Sequence, residues 1–187
     1  MAGAAVRCRC ITAPTESALS SATVDGGVTL LDSAEMYPVP QRAETQGRSE
    51  EFLGRWLRET GCRSRVVVAT KVAGPAGMAW LRDGPLRLDA AAIRAATEAS
   101  LLRLRCDYVD LLQLHWPDRY VPMFGDVAFD AAADYGDWEP IQMQLAALAE
   151  LVAEGKARSP CAHTRRASRL THIPCVRGPV SRCAPSG

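Results

Sequence analysis

Three apolar runs in this chain each end in an ionisable side chain: 28–32 in Asp32, 66–71 in Lys71 and 108–115 in His115. A tyrosine, Tyr37, stands just past the first. Runs of this length, rich in Val and Leu and separated by helix-like stretches, have the pattern of buried parallel strands in a βα-repeating fold. In such folds the C-terminal ends of the strands carry the chemistry. Asp32, Tyr37, Lys71 and His115 are therefore expected to converge at one mouth.

The intervening segments support an alternation of helix and strand. Thr15 can cap a helix over 15–24 that Gly26 and Gly27 end, and the connection 33–48, with Pro38, Pro40 and Gly47, reads as a surface loop. Ser49 is placed to cap a helix that buries Phe52, Leu53, Trp56 and Leu57 and stops at Gly61. A Gly-Pro-Ala-Gly turn at 74–77 follows the second strand. Asp89 then caps a helix in which Ile93, Ala96, Thr97, Ser100, Leu101 and Leu104 share a face. Pro117 stops the third strand, and the long loop 116–139, holding Phe124, Tyr135 and Trp138, reads as a lid or binding loop. The last helix, 141–154, carries Ile141, Leu145, Leu148, Leu151 and Val152 on one stripe before Gly155. Arg48 and Glu50 are expected to pair across the start of the second helix.

Strands alternating with helices imply a parallel sheet with right-handed crossovers, either doubly wound or a barrel. No Gly-x-Gly-x-x-Gly turn and no phosphate-loop lysine motif is present, which counts against the nucleotide-binding doubly wound folds. Polar residues at three successive strand ends favour the barrel. The expected fold class is α/β, a partial (β/α)8 TIM barrel with about three barrel strands and four helices.

Composition excludes more than it selects. A chain of 187 residues, 48% hydrophobic and 23% charged, has the make-up of a soluble globular domain, and its net charge of +1 predicts neither nucleic-acid nor membrane binding. That charge is unevenly spread. No Asp or Glu follows Glu154, whereas Lys156, Arg158, Arg165, Arg166, Arg169, Arg177 and Arg182 do, so a change of character is expected near residue 157. The resulting division is a disordered N-terminus over 1–14, a barrel domain over 15–157 and a disordered Arg- and Pro-rich tail over 158–187. No apolar stretch approaches a membrane span or a secretory signal core. The acid-free start with Arg7 and Arg9 fits a frayed terminus, with a plastid or other organelle transit peptide as the alternative. Seven cysteines, an odd number without a signal peptide, point to reduced thiols and a cytoplasmic protein. Cys161, His163, His172 and Cys175 mimic a zinc-ligand set, but they lie in a tail without apolar periodicity to fix its geometry. No metal is expected.

Four segments now carry a resemblance. Leu-Asp-Ser-Ala-Glu-Met-Tyr at 31–37, Gly-Arg-Ser-Glu at 47–50, Ala-Thr-Lys at 69–71 and Asp-Tyr-Val-Asp-Leu-Leu-Gln-Leu-His-Trp-Pro at 107–117 resemble, in order and spacing, the signature segments of the aldo-keto reductases. The resemblance runs from about residue 15 to Lys156. It implies the first to fourth helices of an eight-stranded barrel that uses NADP(H) to reduce the carbonyls of small-molecule aldehydes and ketones. By position it implies a catalytic tetrad of Asp32, Tyr37, Lys71 and His115, with Trp116 and the aromatics of the following loop lining the substrate pocket.

The chemistry explains these residue types. Hydride delivered to a carbonyl carbon leaves negative charge on the oxygen, which must be stabilised and protonated. The resemblance gives the proton to Tyr37. A free tyrosine, with a pKa near 10, is a poor donor at neutral pH, so a cation beside it helps by stabilising the phenolate left behind. Lys71 would supply that charge, Asp32 would hold Lys71, and His115 would orient the carbonyl oxygen. Taken singly, Asp32 and Lys71 read rather as an ion pair at a sheet end, His115 as a strand-terminal histidine and Tyr37 as a surface residue; jointly, the three strand ends and the tyrosine context favour the functional reading.

The sequence also departs from the family pattern. Residues 1–14 show no apolar or alternating strand pattern, and after Lys156, where a fifth barrel strand is due, Ser159-Pro160-Cys161 occurs instead. Strands five to eight and the segments that grip the nicotinamide amide and the adenosine phosphate have no expected counterpart. The acid-free tail resembles sequence read after a splicing or frame change. Two alternatives to an enzyme follow: a catalytically inactive interaction module, pairing with an intact homologue through its open sheet edges, or an unproductive fragment.

Overall fold

In a computed structural model of the protein, the described residues are 16–162, apart from 85, 124, 126 and 135. Helices and strands alternate as α1 (Glu16–Asp25), β1 (Leu30–Asp32), α2 (Arg48–Thr60), β2 (Val67–Val72), α3 (Ala90–Leu104), β3 (Val109–Leu114), α4 (Ile141–Ala153) and β4 (Ala157–Ala162). The strands form one sheet in the order β1-β2-β3-β4, every neighbouring pair parallel. This is the expected partial barrel, with four strands where periodicity predicted three. No described helix is long and apolar enough to cross a membrane.

Local signals set most of the boundaries. Gly26 N–H donates to Ala22 O at 2.9 Å, Gly27 sits at φ 94°, and Val28 N–H reaches back to Thr23 O at 3.1 Å. That bond commits Val28 to the end of α1, so β1 begins only at Leu30. Asp89 caps α3 as predicted, accepting from Ala92 N–H at 2.8 Å. Lys156 N–H donates to Leu151 O at 2.9 Å past Gly155, which has φ 77°, closing α4 in the manner of a Schellman turn. Ser49 does not cap α2. That helix starts at Arg48 behind Gly47, and the Ser49 hydroxyl instead accepts from Ser33 Oγ–H at 3.0 Å.

β4 corrects the expectation that no strand follows Lys156, and it crosses the boundary expected at 157. Its sequence, Ala-Arg-Ser-Pro-Cys-Ala, has no β-branched or aromatic residue to announce a strand. Pairing supplies what propensity lacks. Val109 N–H donates to Lys156 O at 3.0 Å, and the register runs from Val109 opposite Ala157 to Leu114 opposite Ala162. Side chains clamp the same edge. The guanidinium carbons of Arg63 and Arg158 lie 4.0 and 4.1 Å from the centre of the Tyr108 ring, while Asp110 pairs with both at 2.8 and 2.9 Å. Residues 163–187 of the expected tail, and 1–14 of the expected frayed terminus, lie outside the described residues.

The main core lies between sheet and helices. Val68, Val72, Leu112 and Leu114 pack with Trp56 and Leu57 of α2, Ile93, Ala96 and Leu104 of α3, and Leu148 and Leu151 of α4. The α2–α3 crossing is close because Gly54 has no side chain: a Cβ there would lie 2.3 Å from Arg103 O. Glu50 does not pair with Arg48. It is buried, bonded to Arg103 Nε at 2.7 Å and to the Thr70 hydroxyl, because α2 turns it inward toward α3 and β2. Leu30 and Val67, opposite one another in the register, remain 53% and 41% exposed.

Candidate active site

The C-terminal ends of β1, β2 and β3 bring the polar residues of the sequence pattern together. Lys71 Nζ donates to Asp32 Oδ2 at 2.6 Å and to Ser33 O at 2.7 Å, and Gln113 Nε2 donates to the other Asp32 oxygen at 3.1 Å. Lys71 and Gln113 are register partners two residues beyond Ala69, the partner of Asp32, so both share the face of Asp32 and their side chains reach it. His115 continues β3 by one residue through its N–H on Val72 O, 2.8 Å away. Its ring stands 4.8 Å from that of Trp116, whose indole N–H donates to Pro75 O at 2.9 Å.

Tyr37 arrives from a turn. Its N–H bonds Ala34 O at 3.1 Å, which folds the chain back so that the ring centre lies 5.1 Å from Lys71 Nζ and 5.7 Å from the His115 ring, edge on at 77°. A second apolar cluster, formed by Ala34, Met36, Ala73, Met78, Leu81, Leu86 and Trp116, supports this turn from below. Gly74 admits the indole closely, since a Cβ there would meet Trp116 Cδ1 at 2.6 Å.

Asp32, Tyr37, Lys71, Gln113, His115 and Trp116 line one cavity of about 650 Å³. Its apolar wall includes Met36, Val39, Val121, Pro122 and Met123. The long loop does reach the cavity, but through Val121, Pro122 and Met123. Trp138, expected to line it, is 43% exposed and outside the lining, because Asp118 draws Glu139 N–H to itself at 2.8 Å and carries that part of the loop away. Phe124 and Tyr135 lie outside the described residues, as do the side chains of Cys161, His163, His172 and Cys175. Among the described residues no group of three or more His, Cys, Asp or Glu is placed to hold a metal ion.

Sequence reasoning missed Gln113 and Glu35. Gln113 had a signal: two residues before His115 on one strand, it must project to the same face. Glu35 is an acid between Ala34 and Met36, 1% exposed, with Oε1 accepting from Ala73 N–H at 2.6 Å. Burial pushes its carboxyl above the ordinary range, against the pull of Arg82 at 3.7 Å.

An ammonium and an imidazole both set beside a phenol ring are an arrangement suited to giving a proton to an oxygen held in the cavity. The family profile of the aldo/keto reductases matches residues 11–161. The chain belongs to the aldo/keto reductase family. Protein tas of Escherichia coli K12 is 42% identical over 136 residues, which are 71% of this chain and 38% of that protein. An aldo-keto reductase of Babesia bovis is 46% identical over 102 residues, or 51% of this chain and 36% of its own. Among solved structures, an aldo-keto reductase from Klebsiella pneumoniae in complex with NADPH superposes with a TM-score of 0.54 at 34% identity, covering 79% of this chain and 38% of that one. The chain thus spans well under half the length of these relatives, and its four-stranded sheet is an arc of the family's TIM barrel.

Proposed function

We propose that this chain carries the proton-donating site of an NADP(H)-dependent oxidoreductase that reduces the carbonyl of a small aldehyde or ketone. The observation that carries this reading is the meeting of Tyr37, Lys71, Asp32 and His115 around one cavity. Tyr37 Oη–H gives the proton to the carbonyl oxygen, and Lys71 stabilises the phenolate that remains. Asp32, itself steadied by Gln113, fixes Lys71. His115 hydrogen-bonds the carbonyl oxygen and orients it, while Trp116, Met36 and Met123 exclude water from around the substrate.

The dinucleotide, when bound, supplies the hydride. The residues present suit its reacting end, since Asp32, Lys71 and Gln113 bring polar groups to a cavity that Met36, Val39, Trp116 and Met123 also line. The Klebsiella pneumoniae relative, crystallised with NADPH, supports the choice of cofactor. A cytoplasmic setting is carried over from the cysteine count. Titrating the chain with NADPH while following protein fluorescence tests the reading, together with loss of NADPH absorbance on adding an aldehyde. Saturable binding with turnover supports it, and a folded chain that binds no NADPH overturns it. The exposed Leu30 and Val67 favour a second reading, a module that pairs with an intact homologue, and that folded, non-binding outcome is the one it predicts.

A further inference from the structure

The β1–β2 ladder continues after β1 has ended. Ser33 N–H still donates to Ala69 O at 2.9 Å and Glu35 N–H to Lys71 O at 3.2 Å, although the chain is already entering the turn closed by Tyr37 N–H on Ala34 O. Two residues on from Lys71, just past the end of β2, the Ala73 N–H would face a backbone carbonyl if the neighbouring strand ran on. That backbone has turned away, and Glu35 Oε1 takes its place at 2.6 Å. Gln46 Nε2 holds the Glu35 carbonyl at 2.8 Å, so residue 35 is fixed through its N–H, its C=O and its side chain. Arg82 completes the arrangement from the loop after β2. It donates to Ala73 O at 2.6 Å and lies 3.7 Å from Oε1.

We infer that Glu35 is the positioning residue for Tyr37. Its carboxylate substitutes for a ladder carbonyl and thereby lets the chain turn as soon as β1 ends, which brings the Tyr37 ring back over Lys71 and against His115. An apolar side chain at 35 would leave the buried Ala73 N–H without an acceptor and Arg82 without its counter-charge, and both penalties are relieved by releasing the turn. The importance of this for chemistry rests on the reading of Tyr37 as proton donor. The geometric role does not.

Two variants of the full chain test it by nuclear magnetic resonance, read as the ring-to-ring contact of Tyr37 with His115 and the amide signal of Ala73. Glu35→Asp keeps a carboxylate for Arg82 but draws it back from Ala73 N–H, and loss of the ring contact is expected while core signals from Leu112 and Leu148 stay in place. Glu35→Gln keeps an acceptor oxygen at the same reach, and the contact is expected to persist. Either of two results would overturn the inference: E35D retaining the contact although the Ala73 amide has lost its partner, or E35Q losing it with that bond intact. If the wild-type chain binds no NADPH but E35D dislodges the ring, the positioning role stands and the functional reading falls.

Discussion

The ammonium of Lys71 lies 2.6 Å from Asp32 Oδ2 and 5.1 Å from the centre of the Tyr37 ring. An ion pair with one partner half exposed contributes little to stability. Here the Asp32 side chain is 46% exposed and that of Lys71 is 10% exposed. The pair matters for position: with the second bond to Ser33 O, it holds the amine beside the Tyr37 ring.

Tyr37→Phe removes the proposed proton donor while keeping the ring against His115. It is expected to lower kcat for carbonyl reduction by about 10²–10⁴-fold. NADPH affinity, measured by fluorescence titration, should stay as in the wild type. A fall in affinity matching the fall in kcat would show that the phenol serves binding instead.

Arg103→Leu should test the buried contact beneath the site. It strands the fully buried Glu50 carboxylate, and removing one partner of such a pair costs about 3–5 kcal/mol. Because Glu50 also holds Thr70, the neighbour of Lys71, the loss should reach the site as well as the fold. Urea denaturation gives the first quantity. Replacing Glu50 and Arg103 together by Leu should recover much of it.

Gly54→Ala tests the helix crossing. The new methyl would meet backbone atoms of Arg103 and Leu104 at 2.3–2.7 Å, and backbone cannot swing aside as a long side chain does. Overpacking of this kind costs about 1–3 kcal/mol, read as a lower denaturation midpoint. The same change at Gly77, where a Cβ meets nothing within 4 Å, serves as the control.

The raised carboxyl of Glu35 fixes the sign of a pH effect. A group that holds its proton more tightly folded than unfolded adds stability below its unfolded value and loses that contribution as pH rises through the folded one. From about pH 4.5 upward, wild-type stability should therefore fall relative to Glu35→Gln until Glu35 is fully ionised, and then run parallel to it. Denaturation midpoints of the two proteins across this range check it. A constant difference would mean that burial does not perturb this carboxyl.

The sequence by itself determined whatever depends on neighbours along the chain. Helical periodicity over 90–104 and 141–153, the Asp89 cap and the glycines after α1 and α4 are local steric and hydrogen-bonding facts, and the structure keeps them. The convergence of Asp32, Lys71 and His115 was equally readable, because parallel strands deliver their ends to one side whatever the details of packing. Tertiary structure decided the pairings between distant residues. β4 forms from residues of poor strand propensity because the edge of β3 offers a ladder and Arg63, Tyr108, Asp110 and Arg158 close over it. Glu50 bonds Arg103 instead of Arg48 because helix rotation, which charge spacing does not reveal, turns it inward. Glu35 and Gln113 find Ala73 and Asp32 only once strand register is set, since register fixes which donor lies opposite which acceptor, and no sequence interval encodes that.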